Sequence, residues 1–157
     1  MFETRWATYD ELSIMTDYWY KMACEMGEID GIPKPNLRRI EEVKNIFLKE
    51  FELGNLMFRV ALDNDDEKIV ACAGGLIRTE YAFPLAEEQS LFGWVIAVYT
   101  MKEYRKNGLA SQLVDEVCLW LKQKGAKRAR LWSSSTGRTV YEQLGFDNMM
   151  DLSKKLS

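Results

Sequence analysis

Histidine is missing from all 157 residues. Its absence removes any Ser-His-Asp or Cys-His nucleophile system, the commonest general base and every histidine-bearing metal site. Cysteine is scarce: Cys24, Cys72 and Cys118 are odd in number, far apart and set in apolar patterns. That argues against a disulfide framework and against a zinc site. No apolar run approaches the ~20 residues that span a bilayer, and the opening Met-Phe-Glu-Thr-Arg-Trp has no signal-peptide core. A cytoplasmic protein without a membrane partner is expected. Positive charge is not in excess either. With 21 Lys and Arg against 24 Asp and Glu, the net charge is −3, so the electrostatic footprint of a nucleic-acid binder is missing.

What is present is ordinary globular composition, 47% hydrophobic and 29% charged. Residues 1–157 read as a single domain, long enough to bury roughly two-thirds of its unfolded surface. Phe2 to Ala7 alternates as a first strand, with Thr8 or Asp10 as the following N-cap. From Glu11 to about Glu28, Leu12, Met15, Trp19, Met22, Ala23 and Met26 mark one helical face, which Gly27 and Gly31 end. Pro33 and Pro35 keep the next linker irregular. A second helix spans about Leu37 to Leu53, with Ile40, Val43, Ile46, Phe47 and Phe51 inward and Gly54 as stop.

Strands at Asn55–Leu62 and Lys68–Glu80 flank the turn residues Asn64-Asp65-Asp66. The small Ala71, Ala73, Gly74 and Gly75 point to close packing or a bulge. A loop from Tyr81 to Gln89, containing Pro84, leads to the apolar strand Phe92–Thr100. A helix from Gly108 to Lys124 follows, then a strand at Arg128–Ser133, a helix at Thr136–Leu144 and a last strand near Met149–Lys154. Between the apolar strand and the helix lies Arg105-Lys106-Asn107-Gly108-Leu109-Ala110. A strand-to-helix turn of this kind presents unpaired amides and the positive end of the helix dipole. The glycine lets an anion approach the backbone, which is the geometry of a phosphate site.

Arg105-x-x-Gly108-x-Ala110 resembles the acyl-CoA pyrophosphate loop of the GNAT N-acetyltransferase superfamily, with its Gln/Arg-x-x-Gly-x-Gly/Ala signature. Val140-Tyr141-Glu142-Gln143-Leu144-Gly145-Phe146 resembles that family's late Leu-Tyr-Glu-Lys-Leu-Gly-Phe motif. The element order β-α-α-β-β-β-α-β-α-β is likewise similar to the GNAT fold. The resemblance implies an α/β protein with a twisted mixed sheet, helices on both faces and a splayed central strand pair. It implies acetyl-CoA as co-substrate and no metal. The pyrophosphate would lie on Arg105, Lys106, Asn107, Gly108, Leu109, Ala110 and Ser111. The pantetheine arm would bond the backbone of the Val98-Tyr99-Thr100 stretch. Ser134 stands where many members carry a cofactor-touching asparagine, with a helix N-cap as the equal alternative. Arg138 is either a second cofactor-facing cation or a solvent-facing helix residue.

Acetyl transfer to an amine needs a neutral amine, a stabilised carbonyl oxygen and a protonated leaving thiolate. A lysine-like amine with pKa near 10.4 withholds roughly 4.6 kcal/mol of nucleophile at pH 7. Tyr141, in the motif's tyrosine position, is the candidate acid. Glu80 is the first candidate base, followed by Glu25 and Glu28, with water-mediated deprotonation as the alternative. The resemblance also puts Tyr18, Trp19 and the Asp30–Pro35 loop beside the acceptor pocket, where Glu25, Glu28 and Asp30 form an acidic rim. The expected activity is transfer of an acetyl group to a primary amine of a small-molecule acceptor by direct attack in a ternary complex. A protein N-terminus or lysine as acceptor, or a non-catalytic acyl-CoA-binding regulatory module, stays open. Edge strands and exposed aromatics permit a homodimer without specifying one.

Overall fold

A computed structural model describes residues 1–80, 91–149 and 152–156. Strand β1 (Phe2–Trp6) passes through a short 3-10 turn, Tyr9–Glu11, into helix α1 (Leu12–Asp30). The entry is fixed by Glu11, whose carboxylate accepts from the Thr8 N–H at 2.9 Å and from both Arg5 terminal nitrogens at 2.8 Å. Thr8 rather than Asp10 is therefore the cap. Gly31 ends α1 in the left-handed conformation, φ +72°. Gly27 does not end it, contrary to expectation. A Cβ there would come within 2.3 Å of the Ile32 carbonyl, so the glycine gives room for the returning linker.

Helix α2 (Leu37–Glu52) begins at Asn36, whose side chain accepts from the Arg39 N–H at 2.8 Å. It buries Val43 and Phe47, with Phe51 packed beside them. Ile46, expected inward, is 48% exposed because it lies on the flank of that narrow stripe. Tyr18, expected at the acceptor pocket, is instead a core residue, and its hydroxyl donates to the Ile69 carbonyl.

Strands β2 (Leu56–Asp63), β3 (Lys68–Thr79) and β4 (Leu91–Thr100) continue the sheet, followed by helix α3 (Leu109–Gln123), strand β5 (Ala129–Arg130) and helix α4 (Arg138–Gln143). The strands lie in sequence order, antiparallel except for the parallel β4–β5 pair. The core has two layers. One packs α1 and α2 on Phe58, Val60, Cys72 and Tyr99. The other packs α3, Tyr141 of α4 and Leu144 just after it on Ala71, Ala73 and Val95.

The small residues of β3 are required by this sandwich. A Cβ on Gly74 would fall 2.8 Å from Phe58 Cε1 and 2.9 Å from Ile96 Cγ1. One on Gly75 would fall 2.9 Å from Val117 Cγ1 of α3. A bulge in β3 is present as well, at Val70, which the register against β2 skips between the pairs Ala61–Ala71 and Leu62–Ile69. A second shift, against β4, puts its extra residue on β4, where Ala97 has φ +51°.

Three expectations at the far edge of the sheet need correction. The strand expected over Arg128–Ser133 shrinks to Ala129–Arg130, because the chain leaves β4 after one parallel step and Trp132 turns out, 83% exposed. The helix expected from Thr136 starts at Arg138, since Thr136 and Gly137 belong to a turn closed by Ser134. No final strand forms among the described residues near Met149–Lys154, which find no partner on β5; Met150 and Asp151 lie outside the described residues. The Tyr81–Gln89 loop lies outside them as well. No described helix is long and apolar enough to cross a membrane.

Arg5 holds the Glu11 carboxyl well below its usual 4.5, at about 2. The folded form of such a group binds a proton more weakly than the unfolded chain does. Its stabilisation is thus complete above pH about 4.5 and lost as the pH falls toward 2. Urea titrations across that window should show a shallower acid loss of stability in Glu11→Gln than in the wild type.

Candidate active site

The site begins where β4 loses its neighbour. Only Gly93 and Trp94 pair with β5, at Ala129 and Arg130. From Val95 onward, β4 has no strand on that side among the described residues. The Met101 N–H donates to Val70 on the β3 side at 2.9 Å. Strand alternation therefore turns the backbone groups of Thr100 and Val98 toward the opening. The Thr100 carbonyl is already engaged, accepting from Arg105 Nε at 2.9 Å. Those of Val98 face the gap, and a buried backbone needs partners there.

Beyond the strand, a 3-10 turn at Lys102–Tyr104 leads to the loop. Arg105 is extended, while Lys106 and Gly108 are left-handed, at φ +67° and +74°. Asn107 Nδ2 fastens the turn by donating to the Tyr104 carbonyl at 2.9 Å. Gly108 then precedes α3, whose first backbone bond to it comes from Gln112 at 3.1 Å. The N–H groups of Leu109, Ala110 and Ser111 thus precede the first intrahelical donor, and no side chain caps them. Nothing lies within 4 Å of the place a Gly108 Cβ would occupy. The result is an open cradle of amides at the positive end of a 15-residue helix. Lys106 is exposed beside it. Arg105 is at the loop, but its guanidinium turns back to Thr100, to Glu25 at 2.8 Å and over the Tyr99 ring at 5.6 Å.

Tyr141 lies in α4 against Phe146, ring centroids 5.9 Å apart, and burial raises its pKa above the usual 10.0. No described residue bonds its hydroxyl. Gly137 allows this placement: a Cβ there would sit 3.3 Å from Tyr141 Cε2 and 3.2 Å from Ser134 Oγ. Ser134 has taken the N-cap-like role, accepting from the Gly137 N–H at 3.1 Å. Arg138 binds Asn148 Oδ1 and reaches Glu142 at 3.5 Å.

Tyr141 and Arg138 border a groove of about 420 Å³ together with Trp94, Arg130, Trp132 and Phe146. The loop at 105–111 does not line it. The tryptophans and Arg130 had not been singled out, although alternation over 128–133 already placed Arg130 and Trp132 on one face. Glu80 adjoins the same cluster. It accepts from Arg130 Nη2 at 2.6 Å and from Trp94 Nε1 at 3.3 Å, with the Arg130 guanidinium 4.2 Å from the Phe92 ring centroid. Glu25 is bound by Arg105 and lies 3.9 Å from Lys102 Nζ, and Asp30 accepts from Ser135 Oγ at 2.8 Å. Two carboxylates of the expected acidic rim are therefore partnered. No group of potential metal ligands occurs among the described residues.

The family model for the Acetyltransferase (GNAT) family matches residues 17–146. The chain belongs to the GNAT acetyltransferase family. Solved structures agree with this GNAT fold. A predicted acetyltransferase with acetyl-CoA from Clostridium acetobutylicum is 21% identical, with TM-score 0.87 over 99% of this chain and 96% of that one. The glucosamine-6-phosphate N-acetyltransferase of Arabidopsis thaliana is 16% identical, with TM-score 0.69 over 99% and 98%. AAC(6')-Iy, in complex with the bisubstrate analogue CoA-S-monomethyl-acetylneamine, is 16% identical, with TM-score 0.71 over 100% and 98%. A search of curated proteins gave no match. At these identities the likeness concerns the fold.

Gly108→Ala meets no atom and must bear only the left-handed φ of +74°. Chemical denaturation should register a loss of about 1–2 kcal/mol, with native secondary structure retained in circular dichroism.

Proposed function

We propose that this GNAT protein is a cytoplasmic acetyl-CoA-dependent N-acetyltransferase that acetylates a primary amine of a small molecule by direct attack in a ternary complex. One observation carries the reading: an open amide cradle at the start of α3 adjoins a strand edge that has lost its neighbour. A diphosphate suits the cradle, and a chain of amides suits the edge. In this reading Lys106, Asn107, Gly108, Leu109, Ala110 and Ser111 surround the diphosphate, and Arg105 braces the loop. Val98 supplies pantetheine bonds through both backbone groups, and Thr100 through its N–H. Tyr99 faces the α1 side from the same strand. Ser134 and Arg138 flank the cofactor from the segment around α4.

The amine attacks the thioester carbonyl, the carbon–sulfur bond breaks, and the sulfur leaves as thiolate. Tyr141 gives that thiolate its proton. Burial holds its phenol protonated beyond the usual 10.0, so the acid is intact throughout the neutral range. The amine's proton passes, through water, to Glu80, which Arg130 and Trp94 hold in place. Two structural relatives support a small acceptor by their names, the glucosamine-6-phosphate N-acetyltransferase and AAC(6')-Iy with its acetylneamine-bearing analogue.

Calorimetry with acetyl-CoA tests the cradle. The wild type and Gly108→Ala should bind in the micromolar range, while Gly108→Glu, which sets a carboxylate before the amides, should not. Equal binding by the glutamate variant would remove the cradle from the mechanism. An amine screen with thiol detection should then show Tyr141→Phe lowering kcat by roughly 10²-fold with little change in acetyl-CoA affinity. Turnover at the wild-type rate would strip Tyr141 of the acid role.

A further inference from the structure

The loop after β4 holds a conformation that its sequence alone does not favour. Lys106 is left-handed at φ +67°, which is costly for a side chain with a Cβ, and Gly108 repeats the conformation two residues later. Asn107 fastens the inside of the turn. From outside, the brace is Arg105. Its Nε donates to the Thr100 carbonyl at 2.9 Å, which ties the loop to the end of its own strand. Its Nη2 donates to Glu25 Oε2 at 2.8 Å and Oε1 at 3.0 Å, which ties the loop to α1.

The second tie is built rather than casual. Glu25 lies seven residues after Tyr18, two turns along one face of α1. Tyr18 is buried, its hydroxyl is anchored on the Ile69 carbonyl, and its ring lies 5.3 Å from that of Tyr99. Tyr99 in turn lies 5.6 Å beneath the Arg105 guanidinium. One face of α1 therefore grips both the last strand residues and the loop. The chemistry makes a carboxylate here notable, since a fixed negative charge beside a diphosphate site opposes anion binding.

We propose that Glu25 is a positioning residue for acetyl-CoA, acting through Arg105 to hold the amides of the loop in their binding conformation. The proposal rests on the reading of residues 105–111 as the cofactor loop. It separates two opposite consequences of removing the charge. If Glu25 contributed only its field, neutralising it would tighten binding of the anionic cofactor. If it positions the loop, neutralising it weakens binding, because part of the binding energy must then order the loop.

The test is a double-mutant cycle read by calorimetric titration of the full chain with CoA at fixed ionic strength, using wild type, Glu25→Gln, Arg105→Lys and the double variant. The lysine keeps the charge but loses the fork. Each single substitution should raise Kd about five- to tenfold, a range set by the strength of charge-assisted hydrogen bonds. The double variant should be no more than about twofold weaker than the weaker single one, because both remove the same tie. Melting temperatures of the ligand-free variants should not track these losses. Unchanged or tighter binding by Glu25→Gln, effects that multiply in the double variant, or a Kd that simply follows melting temperature would each overturn the proposal. Failure of the wild type to bind CoA would instead overturn the cofactor reading beneath it.

Discussion

A strand in the middle of a sheet normally gives its backbone donors and acceptors to neighbours on both sides. β4 does so only as far as Trp94; beyond it, no described strand pairs with one edge while the other remains bonded to β3. Everything distinctive about the molecule serves that one-sided strand. The bulge at Ala97 changes which residues of β4 face each layer, so that Ile96 and Tyr99 meet the α1 side while Val95 and Val98 meet α3. The long β3, with Gly74 and Gly75 pressed between Phe58, Ile96 and Val117, keeps the bonded side rigid. An exposed edge is a liability unless something fills it. The same unpaired groups are of the kind that a ligand carrying amides would satisfy.

The two helical layers divide the work around the opening. α3 delivers its N-terminal amides to the end of β4, and α4 delivers Tyr141 from the same face. α1 lies on the opposite face, bonded to the loop through Glu25 and to the segment before α4 through Asp30 and Ser135. A single helix thus touches both sides of the parted strands.

Much of this arrangement was legible from local pattern. The loop hexapeptide, the Tyr-x-x-x-Gly-Phe segment and the β-branched run before Thr100 are short signals whose chemistry needs no distant partner. Other readings failed where a distant partner decided the outcome. Gly27 looked like a helix stop, yet the Ile32 carbonyl occupies the space its side chain would have needed. Tyr18 looked like a pocket residue until the Ile69 carbonyl claimed its hydroxyl. Arg128–Ser133 alternated like a full strand, but alternation cannot say whether a neighbour will be there to pair.

By itself, the sequence determined the order of elements as far as α4, the absence of histidine chemistry, and the presence of a glycine-bearing turn before α3 followed by a tyrosine-bearing helix. Those follow from periodicity, capping residues and the conformational freedom of glycine, all of which act over a few residues. The tertiary structure decided how far β4 and β5 stay together. It also decided that Arg105 braces its loop through Glu25, 80 positions earlier, and that Glu80 is held by Arg130 and Trp94. A charge or hydrogen-bonding group does not select its partner along the chain. It selects whatever the packed layers bring within about 3 Å, and that distance is set only once the core has formed.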